Sequence, residues 1–407
     1  MLRKYKAKKM EIYYRGKKKA TSQLPNLSSS QPLNFLSSHL LIIVFSCLLY
    51  LASGILHPDT AFACAWYAGA DGTANTGAAA GKNPKNPGCC DTCAGDPVDV
   101  ATGRCTYTVT DLSVSSPGIP VAFSRTFNNL DLKVSSLGWG WRFSLDMRVI
   151  FVSNTSADIT NAIIINSNGK RDIYTKGTGN TFAPPSGIYN TLTLNADSTS
   201  TLTTRENITY TFNQGGRLKE IKDLNSNTLT INYTDTSATA EITTIVDSVG
   251  RTYTFTYQNG KIKTIKDPAL RTVTYTYNGD LLTHVTNPVN ETIEYGYDLS
   301  TYNLLTIKNP EGVVYLTNTY DGQGRVTTQN HAGKLYEFTY WDGATEVKEQ
   351  GLYASTYYYN TTYGFVTQYI DPFNKWTTYT WDINTKQLMS ATDPLGNITS
   401  YTYDANG

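Results

Sequence analysis

The feature that most constrains this chain is a period. Two aromatic residues flanking one other residue recur through its second half: Tyr210-Thr211-Phe212, Phe255-Thr256-Tyr257, Tyr275-Thr276-Tyr277, Tyr295-Gly296-Tyr297, Phe338-Thr339-Tyr340, Tyr357-Tyr358-Tyr359, Tyr379-Thr380-Trp381 and Tyr401-Thr402-Tyr403. With Tyr233 and Tyr320 filling two gaps, successive second aromatics fall 19 to 24 residues apart. A fixed period of that size specifies units that stack on one another. The unit reads as a β-hairpin. Thr272-Val273-Thr274-Tyr275-Thr276-Tyr277 alternates, placing Val273, Tyr275 and Tyr277 on one face and threonines on the other. Asn278-Gly279, like Asn259-Gly260 one repeat earlier, supplies the positive φ of a tight turn. A return strand such as 261–265 then ends at Asp267-Pro268, and the same closure recurs at Asn287-Pro288, Asn309-Pro310, Asp371-Pro372 and Asp393-Pro394.

One such unit does not fold alone. Burying two aromatics yields roughly 2–3 kcal/mol each, whereas fixing about 20 residues of backbone costs on the order of 20–40 kcal/mol. Stability therefore comes from contacts between repeats, about nine of which are present, and an open end of the array invites self-association.

The repeat resembles the YD repeat of RHS (rearrangement hotspot) proteins: Tyr-x-Tyr-Asp/Asn, then Gly216-Arg217-Leu218, Gly260-Lys261-Ile262 or Gly324-Arg325-Val326, then Asp-Pro. Tyr320-Asp321-Gly322-Gln323-Gly324-Arg325-Val326 is nearest the family consensus. Upstream, Gly95-Asp96-Pro97-Val98-Asp99-Val100-Ala101-Thr102-Gly103, Phe123-Ser124-Arg125-Thr126-Phe127-Asn128 and Gly138-Trp139-Gly140-Trp141-Arg142-Phe143 resemble the domain that precedes YD repeats in bacterial RHS proteins. The resemblance implies an all-β chain: an N-terminal β domain over 95–205, then an array of stacked hairpins over 206–407 forming part of a spiral β shell. It also implies a shell that encloses a C-terminal toxin released by an aspartate-based self-cleavage, with cargo and cleavage motif lying after the repeats. Neither maps onto a residue of this sequence, whose last repeat is incomplete.

Charge is unevenly placed. Nine of the 34 Lys/Arg lie within residues 1–19, and only Glu11 and Asp59 of the 33 acids precede Cys64, so the remainder holds 25 basic against 31 acidic side chains. A mildly acidic body argues against nucleic acid as a partner. Behind the basic head, residues 40–56 form an apolar run of 17, and Ala61-Phe62-Ala63 has the small residues a signal peptidase requires. Residues 1–63 thus read as a signal peptide or a membrane anchor; either places the rest outside the cytoplasm, secreted or at the cell surface. Residues 64–94 read as a Gly/Ala/Cys-rich linker. Of six cysteines, Cys64, Cys89, Cys90, Cys93 and Cys105 follow the apolar run and none lies in the repeats. In an exported chain the clustered thiols suit disulfides; a zinc site at Cys90 and Cys93, or lipidation of Cys64, are the alternatives.

No catalytic motif is present. His284 and His331 sit within repeats without a surrounding nucleophile or metal signature. Asp267, Asp298, Asp321, Asp371, Asp393 and Asp404 stand where turns begin, so they read as turn formers before they read as glycosidase carboxylates. The expectation from sequence is a protein that is not an enzyme, with no catalytic, cofactor-binding or metal-ligating residues and no cofactor. Its expected role is an exported scaffold of the RHS shell kind, partnered by a toxin cargo or a neighbouring repeat segment and touching membrane only through its N-terminal segment. A surface glycan-binding or adhesion module, using rings such as Tyr357, Tyr358, Tyr359, Trp376 and Trp381, is the alternative, and a hydrolase on the same scaffold a third.

Overall fold

The computed structural model describes residues 93–94, 97–154 and 158–404. The expected signal or anchor helix, and Cys47, Cys64, Cys89 and Cys90, lie outside the described residues. Among those described there is no helix, and hence none long and apolar enough to cross a membrane. The all-β expectation holds: Thr/Tyr/Val-rich alternation produces strands throughout, joined by short turns.

Twenty-five strands, from Arg148–Ser153 to Ile398–Ser400, belong to one antiparallel sheet in which sequence neighbours pair along the ribbon. Its strand order closes on itself through a bridge between Arg148 and Arg217, flanked by Val149 N donating to Gly216 O at 2.9 Å. Tight turns form as the Asn-Gly dipeptides require, with one shift. Asn259 (φ 52°) and Gly260 (φ 71°) make the two-residue loop between Gln258 and Lys261. In the next repeat Asn278 stays in its strand opposite Leu281, and Gly279 (φ 60°) takes the first loop position. The Asp/Asn closures are Asx turns: Asp267 Oδ1 accepts from Arg271 N at 2.8 Å while Oδ2 takes Arg271 Nε at 2.6 Å, and Asp247–Arg251 and Asp321–Arg325 repeat the geometry.

Alternation alone puts both aromatics of a repeat on one face, but the structure treats them differently. The first, such as Phe255, Tyr275 or Tyr295, is buried in the core. At the second the register slips, so that Thr276 faces His284 whereas Tyr277 faces Leu282, leaving Thr283 as an extra bulged residue. Equivalent shifts occur at Phe212, Tyr233, Tyr257, Tyr297, Tyr320, Tyr359 and Trp381. The second ring reaches toward the preceding repeat. Tyr277 Oη donates to Ile262 O at 2.7 Å, and Ile262 is the residue paired with Tyr257 one repeat earlier. Tyr233, Tyr297, Tyr320, Tyr340 and Tyr403 reach Leu218, Leu282, Leu304, Val326 and Leu388 in the same way at 2.6–2.8 Å, and the Trp381 indole reaches Val366 O at 2.8 Å. Each latch spans 14 to 16 residues of sequence. It satisfies a carbonyl at the bulge, where the regular ladder is interrupted.

Candidate functional site

Residues 97–147 do not join the large sheet. They fold as short sheets of their own, chiefly Thr106–Val114, Val121–Asn128 and Trp141–Phe143, and lie on the buried face of the repeats. The apolar part of this contact is a set of edge-on aromatics. The Phe123 ring meets Tyr253 at 5.2 Å and Phe255 at 5.7 Å, and Trp141 meets Tyr295 at 4.9 Å.

Backbone groups give the contact its direction. Residues on the return strands just past the turns, paired with the second aromatics, turn N–H groups toward the N-terminal segment. Leu218 N donates to Met147 O (3.3 Å), Ile262 N to Ser136 O (2.8 Å) and Val326 N to Gly103 O (3.0 Å). Between the last two, Trp139 N donates to Asp280 O at 2.8 Å. Farther along, Thr345 Oγ1 donates to Val100 O at 2.6 Å. The start of the segment, at Val100 and Gly103, thus meets later repeats than its end at Met147. At Leu218, Ile262 and Val326 the residue whose carbonyl takes a tyrosine latch also donates its N–H to the N-terminal segment.

A buried charge pair fixes the register. Arg125 is ion-paired with Asp111, both on the segment, and donates through Nη2 to Tyr295 Oη at 2.5 Å, while Tyr275 Oη donates to Asp111 Oδ2 at 2.8 Å. The guanidinium also lies 5.5 Å from the centres of the Trp141 and Tyr295 rings. The Tyr107 and Tyr315 hydroxyls hydrogen-bond to each other, and Trp141 Nε1 donates to Tyr297 Oη at 2.8 Å. Burial works against the charge of Arg125, but Tyr295 and Tyr275 more than offset it and the net shift is upward. Burial raises the phenols of Tyr107, Tyr275, Tyr295 and Tyr297 as well, keeping them as protonated donors near neutrality. The paired arginine and the neutral phenols join the N-terminal segment to the repeats.

The residues singled out from sequence are dispersed. His284 lies opposite Glu294 with Nδ1 3.1 Å from Thr283 Oγ1, and the His331 ring is 6.0 Å from Tyr315. Asp267, Asp298, Asp321, Asp371 and Asp393 each accept N–H groups of their own turns. Trp381 is stacked on Phe365 at 4.8 Å, so one of its ring faces is occupied, whereas Trp376 is exposed. Cys93 is disulfide-bonded; Cys105 instead keeps its sulfur in the core, where Asn318 Nδ2 donates to it at 3.8 Å. Among the described residues no three or more His, Cys, Asp or Glu are grouped to hold a metal ion. No local sequence pattern singles out the Arg125–Asp111 pair or the N–H groups at the bulges, because the residues they join lie up to 223 positions apart, from Gly103 to Val326.

Residues 95–174 match the family model described as "Domain of unknown function (DUF6531)". The tRNA nuclease WapA of Bacillus subtilis (strain 168) is 33% identical over 135 residues, and the tRNA3(Ser)-specific nuclease WapA of Bacillus spizizenii is 32% identical over 135. The RHS/YD-repeat assignment stands. In both relatives the match spans 33% of this chain and only 6% of the relative, so this RHS/YD-repeat chain corresponds to a small part of either. Among solved structures it is similar to "Crystal Structure of TcdB2-TccC3-Cdc42", at 9% identity and a TM-score of 0.33, over 74% of this chain and 19% of that one.

The relatives' names correct one expectation. Lack of a motif around His284 and His331 suggested a protein that is not an enzyme, yet the curated relatives are named tRNA nucleases. Motifs missing from one stretch do not define the activity of a whole protein, and the matched stretch is 6% of each relative.

Proposed function

We propose that this chain is a wall segment of a larger exported toxin of the nuclease kind, and that its repeats enclose polypeptide on their inner face. The observation that carries the reading is the recurrence of one recognition geometry: Leu218, Ile262 and Val326, each at a repeat bulge, donate their N–H groups to carbonyls of the N-terminal segment. A sheet whose repeating unit binds main chain, rather than one particular side chain, suits a cargo of arbitrary sequence. The relatives are named tRNA nucleases, which supports nuclease activity on tRNA as the proposed activity of the whole protein.

The test is to produce the chain in continuous frame with the polypeptide encoded after it and digest the product with a broad-specificity protease. Enclosure leaves the following polypeptide intact until the repeats are unfolded, and purified material cleaves tRNA once opened. Cleavage of the following polypeptide at the rate of its isolated form refutes enclosure. Protection without tRNA cleavage retains enclosure and removes the nuclease assignment.

A further inference from the structure

The two rims of the ribbon differ. On one rim lie the turns containing Pro268, Pro288, Pro310, Pro372 and Pro394; on the other lie the tight turns at 259–260, 279–280 and 342–343. The N-terminal segment contacts the second rim at Ile262, Asp280 and Gly324. The proline rim is covered differently. The loop around Ser115–Gly118 sits over two of its turns, with Arg251 Nη2 donating to Ser115 O at 2.7 Å and Ser248 Oγ to Pro117 O at 2.8 Å. Beyond that loop the turns present large apolar side chains: Leu270, Val289, Phe373 and Leu395 are between 70% and 87% exposed. Turns on one rim are two strands apart, so these tips recur at roughly 9–10 Å steps. Acids are present in most of these turns, as Asp267, Glu291, Asp371 and Asp393, with bases beside some of them, as Arg271 and Lys375, so the row lacks the positive charge that would favour nucleic acid or an anionic surface. Apolar tips on a polar rim mark a protein contact.

The chain itself shows what fits such a rim. Tyr189, in the proline-rim connection 184–190, accepts a 2.7 Å hydrogen bond from Gln387 Nε2, in the opposite-rim turn 382–387. Arg148 Nη1, at a strand end on the proline rim, likewise donates to Ala238 O of the opposite-rim connection 234–241 at 3.2 Å. Proline rim meets opposite rim in both cases, and the opposite rim carries its own exposed apolar residues, Leu299, Trp341 and Ile383. We propose that the proline rim from Leu270 to Leu395 is a docking surface for the opposite rim of a second copy of this chain, continuing between molecules the contact made within one. The interface is head-to-tail, so it grows past a dimer.

Sedimentation velocity of the full chain across a concentration series tests this. The parent forms dimers and larger species, and charging the tips with Leu270→Glu, Phe373→Glu and Leu395→Glu weakens association at least tenfold while near-UV circular dichroism is retained. Trp341→Glu with Ile383→Glu, on the opposite rim, weakens it equally. A parent that stays monomeric overturns the proposal, as does a folded tip variant that associates like the parent. Loss with the tip variant but not with the opposite-rim variant overturns the named partner. Association abolished only by Ile398→Pro, which blocks strand addition at the last strand, assigns it to edge pairing and overturns the rim.

Discussion

The tyrosine latch predicts a graded series of Tyr→Phe effects. Tyr277 serves one partner, the Ile262 carbonyl, whereas Tyr297 serves two: it donates to Leu282 O and accepts from the indole of fully buried Trp141. Tyr403 donates to Leu388 O but is 37% exposed, so water can replace its hydroxyl. Orphaning one buried partner costs about 1–3 kcal/mol. Tyr277→Phe is therefore expected to destabilise by about 1–3 kcal/mol, Tyr297→Phe by about 2–5 kcal/mol, and Tyr403→Phe by less than about 0.5 kcal/mol. Urea unfolding followed by near-UV circular dichroism reads the global effect, and native-state hydrogen exchange of the neighbouring strands reads the local one, since an array can open piecewise. If Tyr297→Phe costs no more than Tyr277→Phe, the double role of that hydroxyl is wrong. If all three variants match the parent, the latch contributes nothing to repeat cohesion.

Arg125→Ala strands Asp111 in the core and is expected to cost about 3–5 kcal/mol, whereas Arg125→Met combined with Asp111→Leu recovers most of that; chemical denaturation of both variants decides. A Cβ at Gly138, where φ is 92°, falls 2.4 Å from Asp280 O, so Gly138→Ala is expected to expel the Trp139 backbone from that turn and raise its amide exchange rate, while Gly279→Ala, with nothing within 4 Å, costs about 1–2 kcal/mol for its positive φ alone. For Asp321, burial raises the carboxyl pKa but the Arg325 backbone N–H and guanidinium outweigh it, and the net shift is downward. A depressed folded pKa gives stability that is full above the unfolded value of about 3.9 and lost as pH falls through the folded one. The melting temperature of an Asp321→Asn variant is therefore expected to lie below the parent's at pH 7 and to converge with it below about pH 3.

The parts of the fold legible in the sequence were those encoded within one repeat. Aromatic spacing marked the hairpins, and the Asp and Asn positions marked turns, because both signals act between residues a few positions apart. The bulge was not legible: nothing in Tyr275-Thr276-Tyr277 distinguishes a continued alternation from a register slip, which is decided by Thr283 on the opposite strand. Nor could sequence indicate that Arg125 meets Tyr295 or that Cys105 packs beside Asn318, since those partners are 170 and 213 residues away. For Arg125 there was a weak signal in Phe123-Ser124-Arg125-Thr126-Phe127, where alternation places the arginine on the same side of the strand as the two phenylalanines, and all three are buried.

Every latch points backward along the chain, from a ring to a carbonyl already laid down, and this imposes an order of assembly. During synthesis at about 5–20 residues per second, a repeat of about 20 residues emerges every few seconds, and its acceptor has been waiting since the repeat before. The N-terminal segment that lines the inner face emerges earlier still. The wall can thus be laid course by course around a filling that is already in place, with no need for a distant part of the chain to return and close it.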